Sequence, residues 1–262
     1  MLTAENITYK IGNNVLVNNV SVTYKPGVLN LILGPNGAGK STLIKLLCNL
    51  LQPTSGKVMY NNVVLSGISI KEQAQIRSVL SQSTDIAFPL TAFEVVMMGR
   101  YPHYDVTAAQ KDIEACTKAM QLFDVEELAD RNYLSLSGGE KQRVHFARVI
   151  AQIWYAQKNK YRYLFLDEPL TFLDVYYQYH FMSKVIQLLK QKDLIVVGVV
   201  HDLNLAAKYG GYITLINHGN IIAAGTPKEV FTNENIKNVY RLHPTIENAG
   251  NSIAITFDIK ED

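Results

Sequence analysis

The chain has 262 residues, 48% of them hydrophobic, with 25 lysines and arginines against 23 aspartates and glutamates. That length and composition support one large domain, or a domain with a subdomain, around a packed core. A formal net charge of +2 gives no general field for gripping nucleic acid, so any anion is bound locally and no nucleic-acid partner is expected.

Along the chain, Ile7-Thr8-Tyr9 and Val20-Ser21-Val22-Thr23-Tyr24 alternate in polarity around Gly12-Asn13-Asn14, which predicts antiparallel strands joined by a turn. Leu29-Asn30-Leu31-Ile32-Leu33 then runs into a glycine-rich turn and a predicted helix over 42–51, ended by Pro53-Thr54-Ser55-Gly56. The middle, about residues 85–160, reads as a helical subdomain with helices over 91–98, 108–123 and 138–155. Strands return at 163–167, 194–200, 212–216 and 221–224, with a helix over 175–192, and a last strand spans 252–259 before a charged tail. This alternation of apolar strands and helices predicts an α/β fold with a mainly parallel core sheet, joined by an antiparallel β subdomain and the helical subdomain. All of it is expected to form one nucleotide-binding domain, 1–262.

Cys48 and Cys116 are the only cysteines, and without paired spacing they read as free thiols of a reducing compartment. No basic start followed by an apolar stretch opens the chain. The run Leu194 to Val200 is far below the roughly 18–20 residues that cross a bilayer. If a membrane is involved, another chain is expected to span it.

Gly34-Pro35-Asn36-Gly37-Ala38-Gly39-Lys40-Ser41-Thr42 has the spacing of a phosphate-binding P-loop, set between a strand and a helix. Backbone N–H groups of such a loop surround phosphates, and the start of the helix adds its positive end. Lys40 is then expected to neutralise the β- and γ-phosphates of ATP, and the Ser41 hydroxyl to ligate Mg²⁺. Leu164-Phe165-Leu166 delivers Asp167 and Glu168 to the carboxyl end of a buried strand, where open α/β sheets bind ligands. There Asp167 is expected to hold Mg²⁺ through water, and Glu168 to polarise the water that attacks the γ-phosphate.

Those two elements are common to many nucleotide-binding proteins. The segment Leu136-Ser137-Gly138-Gly139-Glu140-Lys141-Gln142-Arg143 is more specific, and with it the chain resembles the ATP-binding-cassette ATPases. Their signature serine and glycines open a helix whose dipole points at the γ-phosphate of ATP held by a second subunit. The resemblance further implies that Tyr9 stacks on adenine, that Gln82 senses Mg²⁺ and connects to a transmembrane partner, that Asp174 makes a dimer contact, and that His201 contacts the γ-phosphate. Leu170-Thr171-Phe172 departs from the family pattern beside that dimer contact.

The stretch Thr91 to His103 (TAFEVVMMGRYPH) is similar to the helix of importer ATPases for iron chelates, cobalamin and haem, where with Gln82 it receives the permease. Phe146 to Trp154, the polar segment up to Arg162, and Tyr177-Gln178 are most similar to the haem importers. The resemblance therefore implies a homodimer sandwiching two ATP molecules, two permease subunits, and indirectly a substrate-binding protein, at the cytoplasmic face of the cell membrane. A siderophore or cobalamin importer shares every motif. A soluble cassette protein would not need the 91–103 groove, and a non-hydrolysing scaffold would not need Glu168 and His201. The remaining histidines, among them His103, His145, His180, His218 and His243, read as surface or packing residues rather than haem ligands.

Overall fold

The computed structural model describes residues 1–81, 86–157, 160–171, 173–249 and 252–257. Gln82, Phe172, the polar residues 158–159 and the tail 258–262 lie outside the described residues. In chain order the elements are β1 (Leu2–Ile11), β2 (Asn14–Tyr24), β3 (Leu29–Leu33), α1 (Lys40–Leu47), β4 (Ser55–Tyr60), β5 (Val63–Val64), α2 (Ile70–Ile76), β6 (Arg77–Leu80), α3 (Ala92–Met97), α4 (Gln110–Leu122) and α5 (Gly138–Gln152). There follow β7 (Arg162–Asp167), α6 (Val175–Leu189), β8 (Leu194–Val199), α7 (Leu203–Tyr209), β9 (Tyr212–Asn217), β10 (Asn220–Gly225), α8 (Pro227–Val230), α9 (Asn233–Tyr240), β11 (Pro244–Ala249) and β12 (Ser252–Phe257). They divide into two units, Met1–Gly67 with Ile195–Asp262, and Ile68–Leu194.

In the first unit β3 lies between β8 and β9, parallel to both, and β10 pairs antiparallel with β9. Every residue of β3 and β8 is buried, as continuous apolar runs in a parallel sheet require. The expected antiparallel hairpin β1–β2 is present, and β1 carries β4 on its other side, with Leu2 opposite Tyr60. The hairpin β11–β12 closes the chain and is antiparallel throughout.

The second unit holds the helices α2 to α6, with the parallel pair β6–β7. Helix α5 ends at Gln152, three residues short of the expected Tyr155, because side chains take its final carbonyls. The Arg100 guanidinium donates to the carbonyls of Ala151 (2.7 Å) and Gln152 (3.3 Å), and that of Arg162 to those of Ile153 (2.8 Å) and Trp154 (2.7 Å). Two buried cations thereby satisfy the groups a helix end leaves open and oppose its negative pole. Each is itself neutralised, Arg100 by Asp112 at 2.9 Å and Arg162 by Asp193 at 2.8 Å.

Helix α1 also departs from its expected limits, starting at Lys40 and stopping at Leu47. Asn49 adopts a left-handed φ of 58°, and Leu50 and Leu51 turn their N–H groups back to the Lys45 carbonyl, a termination that needs no glycine. Cys48 and Cys116 are buried thiols that form no disulfide. No helix among the described residues is long and apolar enough to cross a membrane.

Candidate functional site

In the first unit the phosphate-loop residues and His201 lie at the carboxyl ends of neighbouring parallel strands. Ile32 of β3 pairs with Val199 of β8, so the loop from Gly34 and the segment from Val200 to His201 leave neighbouring strands at their carboxyl ends. That is where open α/β sheets place ligands. The Val200 N–H reaches back to the Ile32 carbonyl at 3.4 Å, and His201 beyond it is exposed.

The glycines of the loop have separate tasks. A Cβ at Gly34, at φ 155°, would stand 2.1 Å from the Ile216 carbonyl oxygen, and one at Gly39, at φ 100°, 2.5 Å from that of Leu16. Both positions are reserved for glycine by neighbouring strands. Gly37, at φ 78°, would meet nothing within 4 Å, which leaves its side of the loop open to a ligand. Ala38 accepts from the Gly219 N–H at 3.0 Å and donates to the Pro35 carbonyl at 3.2 Å, pinning the turn.

Lys40, only 5% exposed, folds back so that its ammonium donates to the carbonyls of Gly34 (2.9 Å) and Pro35 (3.0 Å). Its charge is thus held at the mouth of the loop, beside the start of α1. Ser41 and Thr42 are half-buried in the first turn. Tyr9 sits opposite Val17, next to the Leu16 that abuts Gly39, and the β1–β2 register shifts on both sides of it. Such bulges re-aim a side chain, and here they set a half-buried ring on the strand pair that flanks the loop.

A residue that sequence reasoning passed over also bears on this loop. Tyr240, at the end of α9, lies beside the Gly34 N–H. Burial pushes its phenol up to about 12, and the Gly34 N–H acts the other way, lowering it. An aromatic residue on an amphipathic helix carries no sequence mark that separates it from ordinary core.

In the second unit Asp167 ends β7, 6% exposed, and Glu168 follows with a left-handed φ of 52°. That conformation costs a residue with a Cβ about 1–2 kcal/mol, and its surroundings sustain it. The Thr171 hydroxyl donates to the Glu168 carbonyl at 3.0 Å, and Gln142 Nε2 to the Pro169 carbonyl at 2.9 Å. Gln142 belongs to α5, so the helix of the Leu136 to Arg143 motif is tied to the Asp-Glu-Pro turn. Leu80 of β6 pairs with Leu166, and the chain is described as far as Ser81. Gln82 lies outside the described residues.

At the start of α5, Leu136 is buried while Ser137 and Gly138 are exposed. Ser137 forms a capping box with Glu140: its N–H and hydroxyl donate to Glu140 Oε2 at 2.8 and 2.7 Å, and its oxygen accepts from the Glu140 N–H at 3.3 Å. These donors hold the Glu140 carboxyl below the usual carboxylate range. A Cβ at Gly138 would meet nothing within 4 Å, so this helix end is open to an approaching anion, and Gly139 beside it is half-buried. Asp174 caps α6, accepting from the Tyr177 N–H at 2.9 Å. The Arg143 guanidinium, from α5, lies 4.6 Å from the centre of the Tyr177 ring.

The Thr91 to His103 stretch is joined to the far end of α5. A Cβ at Gly99 would stand 2.3 Å from the Arg148 carbonyl oxygen, Arg100 takes the two carbonyls described above, and His103 Nε2 lies 2.6 Å from the Gln152 carbonyl. His145 packs against Tyr133, with 2.7 Å between Nε2 and the hydroxyl, and His180 meets Asp124 at 2.8 Å.

A family model described as ABC transporter matches residues 17–171. The chain is 40% identical, over 246 residues, to the hemin import ATP-binding protein HmuV of Escherichia coli O157:H7, covering 94% of each. Among solved structures it is similar to a metal-chelate type ABC transporter in an inward-facing conformation, with a TM-score of 0.80 and 25% identity across 98% of this chain and 96% of that one. It is also similar to a bacterial ABC transporter cassette solved as a dimer, with a TM-score of 0.75 and 25% identity across 87% and 99%.

Proposed function

This chain belongs to the ABC transporter family, and on that premise we propose that it is the ATP-hydrolysing subunit of an importer that takes up hemin. The observation that carries the cargo is the 40% identity to a hemin import ATP-binding protein over 94% of both chains. The test is transport. Reconstituted with its permease and binding protein, the chain should drive ATP-dependent uptake of hemin into vesicles and not of cobalamin or a ferric siderophore. Uptake of either of the latter in place of hemin would overturn the cargo.

Each predicted residue receives a role in that activity. Tyr9 stacks on the adenine, and Gly34 to Thr42, through Pro35, Asn36, Gly37, Ala38 and Gly39, wrap the phosphates with main-chain N–H groups. Lys40 turns its ammonium from the Gly34 and Pro35 carbonyls to the β- and γ-phosphates. The Ser41 hydroxyl and the Asp167 carboxylate are hard oxygen donors of the kind Mg²⁺ selects, and with Gln82 they would hold it. Bound there, Mg²⁺ would neutralise phosphate charge. Glu168 accepts the proton of the attacking water, and His201 steadies the γ-phosphate.

The open start of α5 supports a role for Leu136, Ser137, Gly138, Gly139 and Glu140 toward ATP held by a second copy of the chain, with Asp174 at the contact between copies. One loop and one signature per chain then make two sites in a two-fold dimer. ATP favours the closed dimer, and hydrolysis releases it. With 15 residues, α5 is a rod about 22 Å long that runs from the signature to the 91–103 stretch, which suits it to pass that motion to two permease subunits. The chain is then peripheral at the cytoplasmic face of the cell membrane, served indirectly by a binding protein and by no nucleic acid.

Mixed dimers test the shared site. Ser137→Arg on one copy is expected to abolish hydrolysis of the ATP bound by the other copy's loop while leaving nucleotide binding to its own loop. If the loss falls instead on the substituted chain's own ATP, the exchange between copies is wrong.

A further inference from the structure

The hairpin β11–β12 makes a two-point contact with the helix that follows His201. Asn204 Nδ2 donates to the Ile255 carbonyl at 3.0 Å, and Asn204 Oδ1 accepts from the Ile255 N–H at 2.8 Å. A carboxamide that takes both main-chain groups of one strand residue imitates a neighbouring strand. It fixes orientation as well as distance, which apolar packing of Ile253 and Ile255 would leave free to slide.

From Asn204 the constraint passes to His201 through a single residue. Asp202 caps α7, accepting from the N–H groups of Asn204 (2.7 Å) and Leu205 (3.0 Å), so the first turn and the residue beside His201 form one hydrogen-bonded unit. On the other side, the 3.4 Å bond from Val200 to Ile32 is long for a sheet bond and holds the segment less firmly. The helix side of exposed His201 is therefore tied to the hairpin by directed bonds, through Asp202 and Asn204.

We propose that the β11–β12 hairpin orients His201 for ATP hydrolysis through Asn204, which acts as a positioning residue. The proposal rests on the role given to His201 above. It also assigns a task to β11 and β12, which no motif claims.

The test is a double-mutant cycle on the full-length chain, measuring kcat for ATP hydrolysis, nucleotide affinity and Tm for Asn204→Ala, His201→Ala and the double variant. Misplacement of a reacting group by about 1 Å costs on the order of 100-fold, so Asn204→Ala is expected to lower kcat by about 10- to 100-fold. ATP affinity should stay within about twofold, and the double variant should be no slower than His201→Ala. A kcat unchanged by Asn204→Ala, or lowered by the same factor with and without His201, would overturn the positioning role. Full activity of His201→Ala would instead remove the role of the histidine, and the proposal with it. If Asn204→Ala does not fold, Asn204→Asp enters the same cycle, since it keeps the acceptor for the Ile255 N–H and loses the donor; its kcat is expected to fall in the same non-additive way.

Discussion

Glu168→Gln is expected to bind ATP with near-normal affinity and to hydrolyse it about 10²- to 10⁴-fold more slowly, the usual contribution of a positioned general base. The substitution isolates the chemistry. Glutamine faces the same left-handed φ of 52° as glutamate, so the backbone strain is common to both. The bonds around the turn, from Thr171 to the Glu168 carbonyl and from Gln142 to the Pro169 carbonyl, involve the main chain and survive the change. What is lost is a carboxylate that can accept a proton. With hydrolysis blocked and ATP retained, the protein is expected to accumulate as a closed dimer, visible by size-exclusion chromatography in ATP. Turnover at the unsubstituted rate would remove Glu168 from its role.

Lys40→Ala is expected to act earlier, on binding. A hydrogen bond to a charged group contributes about 1.5–3 kcal/mol, so losing the ammonium from two phosphates should weaken ATP by about 100-fold or more, measurable by calorimetry. The nucleotide-free protein is expected to suffer too. Lys40 is 5% exposed and bridges the Gly34 and Pro35 carbonyls, and an alanine there leaves both without that donor. Its Tm should fall even in the absence of ATP, which a purely ligand-contacting lysine would not cause. Unchanged affinity would dismiss the phosphate-cradle assignment.

Much of this site is legible in local sequence because its parts are local. β3 occupies the expected 29–33, since five consecutive apolar or buried positions before a glycine turn have few alternatives. The capping box at Ser137 and Glu140 is written in the spacing of the two residues. Elements defined by distant partners were harder to see. β4 is polar and glycine-containing at its start and exists as a strand through pairing with β1, some fifty residues earlier. β6 has four residues and depends on β7. Strand preference of this kind is a property of neighbours more than of the segment.

The end of α5 depends likewise on Arg100 and Arg162, brought from opposite sides of the sequence. Glu168 illustrates a different limit. Nothing in an Asp-Glu-Pro string signals a left-handed glutamate, because the conformation is imposed by the turn's other bonds. Asn204 and Tyr240 read as an ordinary surface amide and an ordinary core ring. Only the folded chain shows that one holds Ile255 and that the other lies beside Gly34.

The capping box at the start of α5 has a consequence for reversibility. The Ser137 hydroxyl already donates to a carboxylate, Glu140 Oε2, at 2.7 Å. In the proposed two-copy arrangement, an arriving phosphate oxygen would exchange one charge-assisted bond for another instead of gaining one outright, so the net free energy of that contact would be small. A signature serine with an idle hydroxyl would grip the nucleotide more tightly and release it more slowly. On that proposal the cap would serve as a resting partner to which the serine returns, leaving the closed state shallow enough for each turnover to end in separation.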